Sequence, residues 1–146
     1  FHDLAPHQLG LMVYFFGEVE SATGISGNLS GLYAADDMVS GTILFKNGVQ
    51  FSGSWCFDVS PKQETDYCEI FGSAGSIRFA VFNQQGIILT TEKEQQVFSF
   101  DPLQHVQQPM IARVVQYFLG REPNPCPPEE GYDVLKLMDE FTGMNG

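Results

Sequence analysis

From Val49 to Val59 the side chains alternate in character, with Asn47-Gly48 immediately ahead of them. Val49, Phe51, Trp55, Phe57 and Val59 fall on one side of an extended chain; Gln50, Ser52, Ser54, Cys56 and Asp58 fall on the other. A period of two specifies a strand with one face on a core and the other toward water, ligand or another sheet. Asn-Gly is the strongest short hairpin signal, and residues 38–46 supply the preceding strand. Whatever else the chain does, it must build an antiparallel sheet around this hairpin.

The rest of the chain extends that sheet and then changes period. Residues 18–28 read as a weak strand interrupted by small residues. Further strands are predicted at 66–72 and 75–82, joined by a tight turn containing Gly72 and Gly75, and at 86–91 and 95–100. After Asp101-Pro102 the spacing of Ile111, Val114, Val115, Phe118 and Leu119 is that of an amphipathic helix, with Pro109 in its first turn and Gly120 at its end. Residues 121–128 (REPNPCPP) cannot be regular structure. A last helix runs from about 129 to 142, with Val134, Leu137, Met138 and Phe141 on one face. At the other end, residues 4–16 are apolar on almost every side and predict a buried helix. Pro6 confines its start to Leu4 or Ala5, Asp3 sits where an N-cap belongs, and Gly17 ends it.

One helix, six or seven strands in a meander, then two helices give an α+β fold: an open, mostly antiparallel sheet with helices packed on one face. Residues 1–146 read as a single domain. The uncovered face of such a sheet binds ligands or pairs with a second subunit.

Eighteen acidic against seven basic residues give a net charge of −11. That disfavours nucleic acid and anionic membranes as partners. No stretch has the length of a membrane span, and no signal peptide is visible. The three cysteines, Cys56, Cys68 and Cys126, have no CxxC spacing. They argue against a disulfide framework or a zinc site and read as small buried residues in a reducing, cytoplasmic setting. The chain opens without Met, as a processed chain or a piece of a longer one does.

Asp3 and His7 lie one helical turn apart. A carboxylate beside an imidazole orients it and favours its protonated form, which prepares a general acid/base. Two other readings use the same residues: Asp3 as a helix cap beside a hydrogen-bonded His7, or a metal-ligand pair that needs a third ligand. Gln104, His105, Gln107 and Gln108 gather polar groups at a helix entrance. They suit sugar hydroxyls, or serve the entrance alone. Asp36-Asp37 reads as a turn rather than a cation site, and Trp55 as core rather than a sugar platform. There is no GxGxxG after a strand, no P-loop, no nucleophile elbow and no HExxH, so the chain alone shows no means of holding a redox cofactor.

Four segments in order carry a family resemblance. HDLAPHQLGLMVYFFGEVE resembles a D-x-x-x-H helix. DDMVSGTILFKNGVQFSGSW resembles a hairpin of acid, strand, Asn-Gly turn and strand. EIFGSAGSIRF is similar to the x-I-x-G-x-x-G-x-I hairpin that follows. HVQQPMIARVVQYFLG with CPPEEGYDVLKLMDEF resembles a closing pair of helices. Together they resemble the C-terminal domain of the Gfo/Idh/MocA oxidoreductases. The resemblance implies the substrate-binding and dimerisation domain of an NAD- or NADP-dependent sugar or polyol oxidoreductase. It implies an N-terminal Rossmann domain absent here, no cofactor held by this chain, and no activity of the chain by itself. By position, His7 is the acid/base and Asp3 its partner, His105 and Gln104 are substrate contacts, and the open sheet face forms a homodimer. Gly10 stands where the family commonly has an aspartate. The alternative is a non-catalytic ligand-binding or assembly module with the same fold.

Overall fold

The computed structural model describes residues 1–83 and 86–143. Its elements are α1 (Ala5–Phe16), β1 (Val19–Gly27), β2 (Met38–Phe45), β3 (Gln50–Cys56), β4 (Cys68–Gly72), β5 (Gly75–Phe79), β6 (Ile87–Thr91), β7 (Gln95–Phe98), α2 (Gln108–Phe118) and α3 (Pro128–Thr142). Each predicted element is present within a few residues of its expected place, and the fold is α+β with antiparallel pairing throughout. The contacts gather into two compact units: residues 1–62 with the C-terminal segment from Cys126, and residues Gln63–Pro125.

The first unit holds a three-stranded sheet in the order β1-β2-β3. Its register places Gly24 opposite Gly41 and Gly41 opposite Gly53, so three glycines form a row across the sheet. Gly24 and Gly41 of the row form a groove for Phe141 of α3, while Gly53 lies against the rings of Phe51 and Trp55. A Cβ on Gly41 would stand 2.4 Å from the Phe141 ring, and one on Gly24 would stand 2.5 Å from the Phe141 Cα. Any side chain at those two positions would lift α3 off the sheet. Around the groove the core is closed by Val39, Ile43, Phe45 and Trp55 from the sheet and by Leu137 and Met138 from α3. The opposite face carries Ser21, Thr23, Ile25, Ser40, Thr42, Ser52 and Ser54, with Ser40 and Ser54 hydroxyls 2.9 Å apart across the strands.

The hairpin between β2 and β3 turns at Asn47-Gly48 as expected, with only Gly48 at positive φ (86°). That is a type I turn followed by a left-handed glycine, the bulged alternative to a two-residue turn. The Gly48 N–H donates to the Phe45 carbonyl at 2.8 Å. Asn47 accepts from the Val49 N–H and donates from Nδ2 to the Phe16 carbonyl, tying the hairpin to the end of α1.

α1 is less buried than its composition predicts. Ala5, Leu9 and Met12 are buried, but Tyr14 is 81% exposed and Phe15 46%. The buried positions follow an i, i+4, i+7 stripe, the one face that a single neighbouring helix covers. That neighbour is α3.

In the second unit β4 to β7 form a meander in sequence order. Gly75 (φ 148°) admits no side chain, because a Cβ there would fall 2.0 Å from the Thr90 carbonyl oxygen. The strands form two sheets, where consecutive hairpins would have built one large sheet. Residues 57–67, which contain Pro61, interrupt the run of hairpins, and proline offers no N–H to a ladder. α2 has the expected apolar stripe but buries none of its residues; Ile111, Val115, Phe118 and Leu119 are all about half exposed or more. The cysteines also depart from expectation: Cys56 and Cys126 are exposed and Cys68 is half-buried, where burial is the main influence raising its thiol pKa. Among the described residues, no helix is long and apolar enough to cross a membrane.

Candidate functional site

The turn that opens α1 is built by its own backbone. The Phe1 carbonyl accepts the N–H groups of Leu4 and Ala5 at 3.2 and 3.0 Å, and the Leu4 carbonyl accepts that of His7 at 3.2 Å. Pro6 has no N–H. The donors that an N-cap side chain would satisfy are therefore occupied or missing. The N-cap residue is Leu4, already in helical geometry, and no side chain caps α1. Asp3 is consequently not the cap that its position suggested. Its carboxylate and the His7 imidazole belong to consecutive turns of chain, and both residues are exposed.

The turn is anchored from β3. Trp55 is 8% exposed, and its indole N–H donates to the Gln8 side-chain oxygen. Its ring meets Phe1 edge-on at 5.2 Å between centroids, and it lies 6.0 Å from Phe141 and 6.4 Å from Phe51. Trp55 is thus a core residue, as its strand face predicts. It also touches both residues that bracket Asp3 and His7, a link that sequence spacing does not reveal. The one available signal was a lone tryptophan on the inward face of the best strand.

Gln104 and His105 lie in the second unit, exposed, in the segment that enters α2. The His105 carbonyl accepts the Gln108 N–H at 3.0 Å, so its backbone starts the helix while its imidazole faces solvent. Pro109 occupies the first turn of α2 as expected.

Asp36 and Asp37 are turn residues. The Asp37 carboxylate, 1% exposed, accepts the Leu29 and Ser30 N–H groups at 2.8 Å each, and Ser26 donates to Asp36 at 2.6 Å. The Leu29 N–H, followed by the Ser30 hydroxyl and N–H, holds the Asp37 carboxyl below the usual carboxylate range. This carboxylate organises the loop between β1 and β2. Among the described residues no group of three or more His, Cys, Asp or Glu side chains is placed to hold a metal ion.

A cleft of about 580 Å³ opens where Val13 and Gly17 of α1 face β1 and α3. Glu18, Glu20, Asp133, Lys136 and Glu140 make its rim charged. It lies toward the far end of α1, Val13 being about 9 Å along the helix from His7 at 1.5 Å per residue. Lys136 is engaged with Asp133 at 3.2 Å and Glu18 with Lys46. The exposed acid/base candidates and this cleft therefore do not coincide.

Residues 1–78 match the model of the GFO/IDH/MocA C-terminal domain family. The chain is 42% identical over 145 residues to Oxidoreductase P35 of Formosa agariphila, a match that covers 98% of this chain and 43% of that protein. Its fold is similar to that of UDP-N-acetylglucosamine 3-dehydrogenase from Acidithiobacillus ferrooxidans, with a TM-score of 0.77 at 16% identity over 92% of this chain and 43% of that one. It is also similar to the WlbA dehydrogenase of Bordetella pertussis in complex with NADH and UDP-GlcNAcA, with a TM-score of 0.70 at 19% identity over 94% of this chain and 39% of that one. The chain spans less than half the length of each of these proteins.

Proposed function

The chain belongs to the Gfo/Idh/MocA oxidoreductase family as its C-terminal domain, and on that premise we propose that it is the substrate-binding and dimerisation domain of an NAD- or NADP-dependent oxidoreductase acting on a sugar or polyol. The observation that carries the proposal is the α1 turn. Asp3 and His7 are exposed on a turn that needs neither of them for capping, and that turn is anchored to the core beneath it. Two ionisable, exposed residues on a turn held to the core suit proton transfer.

In the proposal this chain does not itself hold the nicotinamide. Among the described residues every strand pair is antiparallel, whereas dinucleotide folds use parallel strand–helix–strand crossovers, which supports that part of the reading. In the proposal the nucleotide is held by a Rossmann domain of the parent protein, outside this chain, and supplies the hydride acceptor when bound. His7 accepts the proton of the substrate hydroxyl being oxidised and returns it in the reverse direction. Asp3 is the carboxylate that orients the imidazole ring. Gln104 and His105, in the second unit, carry donors and acceptors that suit hydroxyl groups. The apolar stripe of α2, open to solvent here, supports a domain that works against further protein. The uncovered Ser/Thr face of β1 to β3, where Ile25 is 74% exposed, supports pairing with a second copy.

In the intact protein His7→Ala should slow oxidation of its substrate about 10²–10⁴-fold, the usual worth of a general acid/base. Cofactor affinity should stay unchanged. Full turnover would remove His7 from the chemistry. Light scattering on the same protein should give a dimer; a monomer at high concentration would remove the sheet face as an interface.

Gly10 favours a second reading, a ligand-binding or assembly module without catalysis. A Cβ at that position would lie 3.9 Å from Val134 of α3, so the site of the family's aspartate faces an apolar neighbour here. Retained substrate binding with no turnover in the intact protein would select this reading.

A further inference from the structure

We propose that Trp55 and Gln8 are positioning residues that hold the Asp3–His7 turn in its working geometry; the inference rests on the reading of His7 as the acid/base. The helix start is closed by its own backbone bonds, from Leu4 and Ala5 to Phe1 and from His7 to Leu4. No side chain caps it, and Pro6 removes one backbone donor. Uncapped helix ends fray, so the placement of a side chain in the first turn is set by whatever grips that turn from outside.

Trp55 supplies that grip at two points. The edge-on contact with Phe1 fixes the residue whose carbonyl closes the turn containing Asp3. The indole N–H bond to Gln8 fixes the residue directly after His7. Trp55 is in turn held from below: a Cβ on Gly53 would stand 2.7 Å from its Cη2, and Phe51 and Phe141 flank it. A rigid sheet position is thus transmitted to an exposed turn. Proton transfer tolerates little displacement: misplacing a reacting group by about 1 Å can cost about 10²-fold in rate.

The hydrogen bond can be cut from either side in the intact protein. Trp55→Phe keeps an aromatic ring in the core and deletes the N–H. Gln8→Leu keeps the length of a half-exposed side chain and deletes the acceptor, so it stands in should Trp55→Phe fold poorly. Gln8→Glu restores an acceptor. Trp55→Phe and Gln8→Leu should each lower kcat about 10- to 100-fold with the cofactor KM unchanged. The double variant should be no slower than the worse single one, and Gln8→Glu should recover most of the rate. Amide hydrogen exchange at residues 5–8 should quicken in the two bond-deleting variants and not in Gln8→Glu. Normal kcat and normal exchange in Gln8→Leu would overturn the proposal, as would a loss of rate that Gln8→Glu does not recover. His7→Ala separates the two claims. If it retains full turnover, the catalytic reading falls and the exchange data alone decide whether Trp55 holds the turn. If it is inactive while Gln8→Leu is normal, the positioning role falls and the catalytic reading stands.

Discussion

Gly41→Ala is the sharpest test of how this sheet carries its helix. A Cβ at Gly41 would stand 2.4 Å from Cδ2 and Cε2 of Phe141 and 2.5 Å from Cζ. Carbon atoms in contact sit about 3.5–4.0 Å apart, so ring and methyl must separate by more than about 1 Å. The ring has nowhere to go: Phe141 is fully buried, Trp55 lies 6.0 Å away between centroids, and the Phe141 backbone already rests on Gly24. Overpacking of this kind costs about 1–3 kcal/mol. Replacing glycine inside a strand returns roughly 0.5–1 kcal/mol. The net expectation is a loss of about 1–2 kcal/mol, or a fall in Tm of roughly 2–8 °C for a chain of this size. Phe141→Ala alone should cost about 3–5 kcal/mol. In that background the clash is gone, and Gly41→Ala should become neutral or slightly stabilising, a coupling of roughly 2 kcal/mol. Gly24→Ala should not be rescued, because its clashes are with the Phe141 Cα and carbonyl oxygen and the Ser40 carbonyl oxygen. Urea unfolding followed by circular dichroism and by Trp55 fluorescence measures all four variants. Additivity of Gly41→Ala and Phe141→Ala to within about 0.5 kcal/mol would refute the reasoning, since residues in contact must couple.

Other perturbations follow from particular bonds. The Asp37 carboxyl is held below the ordinary carboxylate value by N–H and O–H donors, so its contribution to stability is fully present above that value, about 3.9. It is lost as pH falls through the lower folded value. Asp37→Asn should be less stable than the parent at pH 7 and should flatten the acid limb of a stability–pH profile; an unchanged profile would exclude Asp37 as the loop's organiser. Asn47→Ala removes the bond to the Phe16 carbonyl at 3.0 Å and the acceptor for Val49 at 3.1 Å. It should cost about 1 kcal/mol in the urea midpoint, given the usual worth of a net hydrogen bond. Glu18→Gln should be nearly silent, because both members of the Glu18–Lys46 pair are well exposed and such pairs contribute about 0–1 kcal/mol.

Much of the element order was legible because it is local. Alternation from Val49 to Val59 marks β3, the 3.6-residue spacing of Ile111 to Leu119 marks α2, and Asn47-Gly48 marks the hairpin between β2 and β3. The candidate site was legible only as types and spacing. Asp3 and His7 could be named, but their relation to the helix end could not. The cap reading of Asp3 failed because Phe1, Leu4 and Pro6 dispose of the backbone donors first, a matter of turn geometry that no single residue states. The buried reading of α1 failed for a related reason: apolar residues line its whole circumference, yet only the face toward α3 is covered.

By itself the sequence determined the sites and types of the helices and strands, the central hairpin and the residues with chemistry to offer, since each depends on neighbours within a turn or a strand. Only the tertiary structure decided that the strands form two sheets, that Gly24 and Gly41 line up to seat Phe141, and that Trp55 reaches Gln8 beside His7. Those are contacts between residues far apart in the chain. They are set by register and by the space left between side chains, and every partner must be in place before any one of them has meaning.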